Sequence, residues 1–100
     1  MNRRPNRDHN GEPFPVQIVD AVWKKAISES GFIFFKKDVC GATIKLTEYG
    51  EETLYGWEID HIIPVSQGGT DELSNLQALH WRNKRKKDED YPDWNNKHTG

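Results

Sequence analysis

The sequence predicts a single α+β domain, and three features of its 100 residues lead to this class. A segment near the amino terminus repeats apolar residues at helical spacing, whereas later segments are rich in the branched and aromatic residues that favour strands. A run of strong helix formers follows the strands. Because a chain of this length builds one modest core, we predict one domain that combines helices with a small sheet.

The amino-terminal part of the chain predicts an arm followed by a helix. Residues 1–15 are rich in Asn, Arg, Pro and Gly, so we expect a flexible arm, with the folded domain occupying residues 16–100. From Val16 to about Ser30, apolar residues recur at steps of three and four, and Gly31 follows as a stop signal. This pattern predicts an amphipathic helix.

The middle of the chain predicts a small antiparallel sheet. Residues 32–35 form an apolar run too short for a helix, which we interpret as irregular or extended chain. Residues 42–46 alternate imperfectly, and residues 54–63 are rich in Tyr, Trp and Ile before Pro64. We therefore expect strands in these last two segments.

The carboxy-terminal third predicts a basic helix. The three-residue spacing of Leu73, Leu76 and Leu79 fits either a strand edge or the entry to a helix. Residues 80–87 are good helix formers with no Gly or Pro among them, which predicts a short helix. We expect the aromatic tail that contains Trp94 to pack back on the domain.

Charge is unevenly distributed, although the net charge is only −2. An acidic balance counts against a nucleic-acid-binding protein, but the basic residues are concentrated in the last predicted helix. They are Arg82, Lys84, Arg85, Lys86 and Lys87. Such a cluster either contacts DNA phosphates or forms a solvated surface, and charge alone leaves both interpretations open.

Cysteine content and hydropathy indicate the compartment. The single cysteine, Cys40, excludes an internal disulfide and any zinc site made only of cysteines. No apolar segment follows Arg3 and Arg4 as in a signal peptide, and no segment has the apolar length of a membrane span. We therefore expect a cytoplasmic protein with no membrane partner.

The most informative segment lies between Glu58 and His80. An adjacent Asp60-His61 pair ends a predicted strand, a glycine-containing loop follows, and Asn75 comes after the loop. Because neighbouring strand residues point to opposite faces, Asp60 can address a metal and His61 a water. Taken alone, the pair also fits a hydrogen-bonded turn, and Asn75 fits an Asx turn or a helix cap.

This segment closely resembles the HNH nucleases of the ββα-metal (His-Me finger) fold, as found in small bacterial and phage members. The strong similarity extends from about Trp57 to Lys87 and includes the Asp-His pair, the Gly68-Gly69 loop and the Asn-Leu-Gln run that starts at Asn75. The resemblance implies a hairpin followed by a helix, and metal-dependent hydrolysis of DNA, with double-stranded DNA as the expected partner. Weaker similarities upstream are Asp38, Cys40-Gly41-Ala42, Tyr49-Gly50 and Gly56-Trp57.

The resemblance also implies a role for each site residue. Asp60 is expected to bind one divalent cation, His61 to deprotonate the attacking water, and Asn75 to hold the loop that orients His61. The chemistry agrees, because histidine titrates near neutrality and a bound cation stabilises a leaving oxygen. Oxygen ligands favour Mg²⁺ or Mn²⁺, whereas added nitrogen ligands shift the preference towards Zn²⁺ or Ni²⁺.

One position departs from the family pattern. Family members place the closing His or Asn where this chain has Lys84, whose ammonium group cannot ligate a metal. We therefore expect Asn83 to be the second metal ligand, with His80 and Asp88 as substitutes. The structural zinc of many members is expected to be lost, because Cys40 and His80 lack second cysteines, which leaves His80 a packing or hydrogen-bonding role.

These observations favour a metal-dependent endonuclease that uses the basic helix to contact the DNA backbone. The resemblance implies products with 3′-hydroxyl and 5′-phosphate ends. The alternative, favoured by Lys84, is a DNA-binding module that retains the fold with weak or absent catalysis. A third and less favoured class is a protein-interaction domain that uses the aromatic tail.

Overall fold

The computed structural model describes residues 4–94 of the chain. Strands β1, β2 and β3 form one antiparallel sheet in that order, and β4 pairs with β5 in an antiparallel hairpin. The predicted α+β class is therefore confirmed. The elements follow one another as α1 (Val16–Lys25), β1 (Ile27–Glu29), β2 (Phe32–Lys37), β3 (Thr43–Lys45), β4 (Trp57–His61), β5 (Leu76–His80) and α2 (Trp81–Asp90).

Helix α1 ends at Lys25, five residues before the predicted end at Ser30. Ala26 adopts extended backbone with ψ 161°, and residues 27–29 then pair with β2. Pairing satisfies the backbone groups of this segment, so it overrides the helical periodicity of the sequence. The buried face of α1, which includes Val22 and Trp23, packs against β5.

The apolar run of residues 32–35 belongs to the regular strand β2. Backbone pairing places Phe35 opposite Lys45 and Lys36 opposite Ile44 in β3. Ile44 is fully buried, whereas Phe32 and Phe34 are exposed. The small sheet therefore contributes to the core chiefly through β3.

The hairpin of β4 and β5 carries the site segment. All five residues of β4 are buried, and the register places Asp60 opposite Gln77 and His61 opposite Leu76. Leu76 and Leu79 thus lie on a strand, which decides between the two interpretations of their spacing. The helix α2 follows β5 directly and packs against both strands, as the predicted hairpin and helix require.

Residues that precede and follow the hairpin in the sequence pack into the folded domain. Trp94 is fully buried, in agreement with the predicted packing of the aromatic tail. The Asn6 side chain accepts a hydrogen bond from the Ile59 backbone at 2.8 Å, and Phe14 joins the core. The flexibility of the arm stays a prediction, but these arm residues have specific partners in the fold. Within residues 4–94, no helix is long and apolar enough to cross a membrane.

Candidate active site

Asp60 and His61 lie at the end of β4 and have different partners. The Asp60 carboxylate is 2% exposed and contacts α2, whereas the His61 ring contacts Asp71 and packs beside Phe14. Alternation along the strand explains this division, because successive side chains leave a strand on opposite faces. The structure therefore gives the adjacent pair two separate environments.

The His61 ring is held by a carboxylate. Its Nε2 atom lies 2.8 Å from Asp71 Oδ1, and the other Asp71 oxygen contacts the His9 ring. Burial raises the pKa of Asp71, but hydrogen bonds from His9 and His61 outweigh burial and lower the pKa to about 2. Asp71 is thus ionised at neutral pH and can only accept hydrogen bonds.

This pairing determines which His61 nitrogen can act as a base. Because Asp71 accepts, Nε2 of the neutral ring carries the proton and Nδ1 carries the lone pair. Among residues 4–94, no hydrogen bond involves His61 Nδ1. Asp71 was not among the predicted site residues, although it closes the glycine-containing loop of the same motif.

Asn75 ties the loop to the end of the hairpin. Its Oδ1 accepts from the Ile63 backbone at 2.8 Å, and its Nδ2 donates to the carbonyls of Ile63 and Thr70 at 3.1 and 2.8 Å. Gly69 is required next to these Asn75 hydrogen bonds, because a Cβ at this position would lie 1.6 Å from the Ile63 carbonyl oxygen. These contacts suit the loop-holding role predicted for Asn75.

Two ammonium groups approach the Asp60 carboxylate. Lys87 Nζ lies 2.6 Å from Asp60 Oδ2, and Gln77 donates to the same oxygen at 2.8 Å. Lys84 Nζ lies 4.0 Å from Oδ1 and 2.6 Å from the Asp88 carboxylate. Burial lowers the pKa of Lys87, while the charge and hydrogen bond of Asp60 oppose this effect.

Asn83 is engaged elsewhere. Its Nδ2 donates to Asp38 Oδ2 at 2.9 Å, and the same oxygen accepts the His80 backbone N–H. The other Asp38 oxygen accepts the backbone N–H groups of Cys40 and Ala42. The buried Asp38 carboxylate thus connects the turn at residues 38–42 to the start of α2. The resemblance would place a structural zinc at this position.

His80 also has partners away from Asp60. Its Nε2 donates to the Leu54 carbonyl at 2.8 Å, and its Nδ1 accepts the Arg82 backbone N–H at 3.1 Å. The predicted hydrogen-bonding role of His80 is confirmed. Of the residues considered as a second ligand, Asn83 and His80 are hydrogen-bonded to other groups and Asp88 is paired with a lysine.

The residues around Asp60 do not fit the divalent cation that the resemblance implies. Mg²⁺ and Mn²⁺ require several oxygen ligands, whereas Asp60 faces Lys87 and Lys84 and is not joined there by Asn83. In the described part of the chain, no group of three His, Cys, Asp or Glu side chains could hold a metal. The side chains around Asp60 therefore favour a lysine ammonium group over a metal ion as the cation at this carboxylate.

The basic residues of α2 are not equivalent. Arg82 and Lys86 are exposed, and the Arg82 guanidinium lies over the Trp81 ring. Arg85 forms two hydrogen bonds with the buried Glu58, at 2.8 and 3.1 Å. Lys87, at 2% exposure, is not available to a phosphate. Arg82 and Lys86 are therefore the exposed members of this predicted DNA-contact set, whereas Lys84 is partly exposed.

A cleft of about 280 Å³ opens beside these residues. His61, Asp60 and Lys84 line it together with the arm residues Arg4 and Arg7. The cleft thus combines a histidine that carries a free lone pair with cationic side chains, which suits an anionic ligand such as a phosphodiester. Neither arginine was predicted to lie at the site, because no sequence pattern of the arm indicates where it packs.

Comparison with known proteins identifies a family for the part of the chain that contains the hairpin. An HNH endonuclease family model matches residues 38–89, just over half of the chain. No curated protein and no solved structure matches the chain. The matched residues include Asp38, the β4–β5 hairpin and nearly all of α2, but not the arm residues that line the cleft. The chain therefore belongs to the HNH endonuclease family.

Proposed function

We propose that this protein is an endonuclease that hydrolyses DNA phosphodiester bonds, with His61 as the general base. The observation that carries the proposal is the 2.8 Å contact between His61 Nε2 and Asp71 beside a cationic cleft. The contact directs the lone pair to Nδ1, the nitrogen that makes no hydrogen bond within residues 4–94. A base of this kind accelerates proton transfer by on the order of 10²- to 10⁴-fold.

The reaction is a hydrolysis in which His61 receives one proton. A water oxygen forms a bond to phosphorus as its proton passes to Nδ1 of His61, and the bond from phosphorus to the 3′ oxygen breaks. The 3′ oxygen retains the electron pair and takes up a proton from solvent, and His61 later returns its proton to solvent. The products carry a 3′-hydroxyl and a 5′-phosphate.

The other site residues position His61 or the substrate. Asp71 orients the ring and stabilises the imidazolium that forms. Asn75 fastens the loop that carries Asp71 to the end of β4. Arg4, Arg7 and Lys84 line the cleft and offer positive charge to the phosphate. Double-stranded DNA is the proposed substrate, and a cytoplasmic location remains a prediction.

The test is cleavage of supercoiled plasmid by the purified chain and by His61→Ala. Each protein is assayed in EDTA and, separately, with Mg²⁺ and with Mn²⁺. We expect the parent to cleave in at least one buffer and His61→Ala to be at least about 10²-fold slower there. Lys24→Ala, an exposed change on α1, serves as the control. Absence of cleavage in every buffer, or full activity of His61→Ala, contradicts the proposal.

A second candidate function is DNA binding without catalysis. The contact of Lys87 with Asp60 favours this candidate, because an ammonium group that neutralises the carboxylate competes with a metal ion for its oxygens. A mobility shift of the same plasmid without nicking in any buffer would support this candidate.

A further inference from the structure

We propose that lysine replaces the metal ion of this site: Lys87 neutralises Asp60, and Lys84 presents its ammonium group to the phosphate. The inference deepens the proposed function and rests on it for the identity of the ligand, a DNA phosphodiester. It assigns to two lysines the charge that the family resemblance assigns to a divalent cation.

Lys87 occupies a built cation site. Its ammonium group lies 2.6 Å from Asp60 Oδ2, 2.6 Å from the His61 carbonyl and 3.0 Å from the Ile62 carbonyl. Three protons therefore meet three oxygen acceptors, which is the full donor capacity of lysine. The ring centroids of Tyr91 and Trp94 also lie 5.8 and 5.7 Å from the ammonium group. A metal on Asp60 would have to displace this arrangement.

Lys84 is the ammonium group that a substrate can reach. Its side chain is 19% exposed, and it lines the same cleft as His61. It also lies at the position where the family pattern has a metal-ligating His or Asn. Asp88 holds Lys84 at 2.6 Å, while Lys87 contacts the other oxygen of Asp60, so the location of Lys84 is defined before DNA binds.

The local charge supports a phosphate ligand. Lys84 and Lys87 balance the carboxylates of Asp60 and Asp88, and the arm adds Arg4 to the same cleft. A phosphodiester entering this cleft therefore meets excess positive charge without a metal. Because an ammonium group carries one charge and a divalent cation two, we expect weaker stabilisation of the leaving oxygen than a metal provides.

The first test is calorimetric titration of the full chain with Mn²⁺ alone. We expect no binding by the parent up to millimolar Mn²⁺. Binding that disappears in Asp60→Asn would overturn the inference. This measurement does not depend on activity, so it remains decisive if the protein does not cleave DNA.

The second test is binding of a fluorescent DNA duplex in EDTA, measured by anisotropy. Lys84→Gln should weaken binding roughly tenfold, because glutamine cannot make a charge-assisted hydrogen bond to phosphate, and Lys84→Arg should bind within about twofold of the parent. Lys24→Gln on α1 controls for removal of an exposed lysine charge. Equal binding by Lys84→Gln and the parent would overturn the inference.

Cleavage separates this inference from the proposed function. If the parent nicks plasmid at the same rate in EDTA and in Mn²⁺, both hold. If nicking requires Mn²⁺, the proposed function holds and the inference fails. If nicking is absent in EDTA, in Mg²⁺ and in Mn²⁺, the proposed function fails, and the Mn²⁺ and duplex titrations alone decide the inference.

Discussion

At the scale of single residues, Asp71 shows how neighbours set the state of a carboxylate. It contacts two histidines, one from the arm and one from β4, and these contacts outweigh its partial burial. Its ionised form is the one that fixes the His61 tautomer. Asp71 therefore links a local electrostatic effect to the chemistry proposed for the site.

We predict that Asp71→Asn lowers the cleavage rate by about 10²- to 10⁴-fold, because an amide no longer enforces the protonation of Nε2 or stabilises imidazolium. Plasmid nicking by the parent and by Asp71→Asn, compared at neutral pH, checks this. Asp20→Asn, an exposed change on α1, is the matched control. A rate for Asp71→Asn within about threefold of the parent would argue against the orienting role.

The same substitution tests the pKa of Asp71 through stability. The folded pKa of about 2 is below the ordinary value of 3.8, so Asp71 stabilises the fold above about pH 4 and this contribution falls away as pH drops towards 2. The difference in unfolding free energy between the parent and Asp71→Asn should therefore shrink over that interval. Urea denaturation at several pH values measures it, and a constant difference would contradict the assignment.

Cys40 provides an independent measure of the environment around Asp38. Burial, followed by the charges of Asp38 and Asp60, raises the pKa of its thiol from 9.0 to about 11. At pH 8 the thiolate fraction should thus be about 100-fold smaller than in the unfolded chain. A thiolate of higher pKa is intrinsically more nucleophilic, so reaction with a disulfide reagent should be slower by about tenfold in the folded protein than in denaturant. Rates within about threefold of each other would be inconsistent with this environment.

At the scale of elements, α2 distributes its charged residues over several partners. Lys84 and Lys87 approach Asp60, Asn83 reaches Asp38, and Arg85 pairs with Glu58. Only part of the predicted basic face therefore remains at the surface. The helix serves as a support for the buried charges of β4 as well as a candidate DNA contact.

We predict that the Asp60–Lys87 pair is strongly coupled in stability. Lys87→Met and Asp60→Asn should each lower the unfolding free energy by about 3–5 kcal/mol, because each leaves a buried charge without its partner. The double variant should recover part of this decrease. Urea denaturation of all four proteins measures the coupling, and the exposed Lys24–Asp20 pair, expected to contribute about 0.2–1 kcal/mol, is the control. Additive effects of the two substitutions would exclude the coupling.

At the scale of the whole molecule, the site depends on segments from both halves of the chain. The arm brings Arg4 and Arg7 to the cleft that residues of β4 and α2 also line, and it brings His9 to Asp71. The contact between His9 and Asp71 spans 62 positions of sequence. The cleft is thus positively charged because folding brings the arm arginines to it, although the net charge of the chain is −2.

We predict that DNA binding depends on the exposed basic residues of both segments. Arg4→Gln/Arg7→Gln and Arg82→Gln/Lys86→Gln should each weaken binding and flatten its salt dependence, by about one unit of slope for each phosphate that is no longer neutralised. Anisotropy titrations of a DNA duplex over a salt series measure the slope. Lys24→Gln, a change outside both segments, should leave it unchanged. Slopes equal to that of the parent would assign these residues to a solvated surface.

The sequence alone determined the α+β class, the family, and the order of an amino-terminal helix, a small sheet and a hairpin followed by a helix. These properties depend on local periodicity and on a motif whose residue types and spacings lie within one continuous segment of the sequence. The motif also located Asp60, His61 and Asn75 at one end of a strand and its loop. The extent of α1 was wrong by five residues, because sheet pairing of residues 27–29 is a non-local effect.

Only the tertiary structure decided which groups meet around Asp60 and His61. Residues 83 and 84 are separated by about 100° around a helix, so their facing depends on how α2 packs on the hairpin. That packing turns Asn83 to Asp38 and brings Lys84 within 4.0 Å of Asp60. Lys87 reaches Asp60 across 27 positions, a separation over which spacing rules carry no information. The physical reason is that the partners of a side chain depend on which distant residues the packed fold brings within reach. Local sequence patterns do not contain this information.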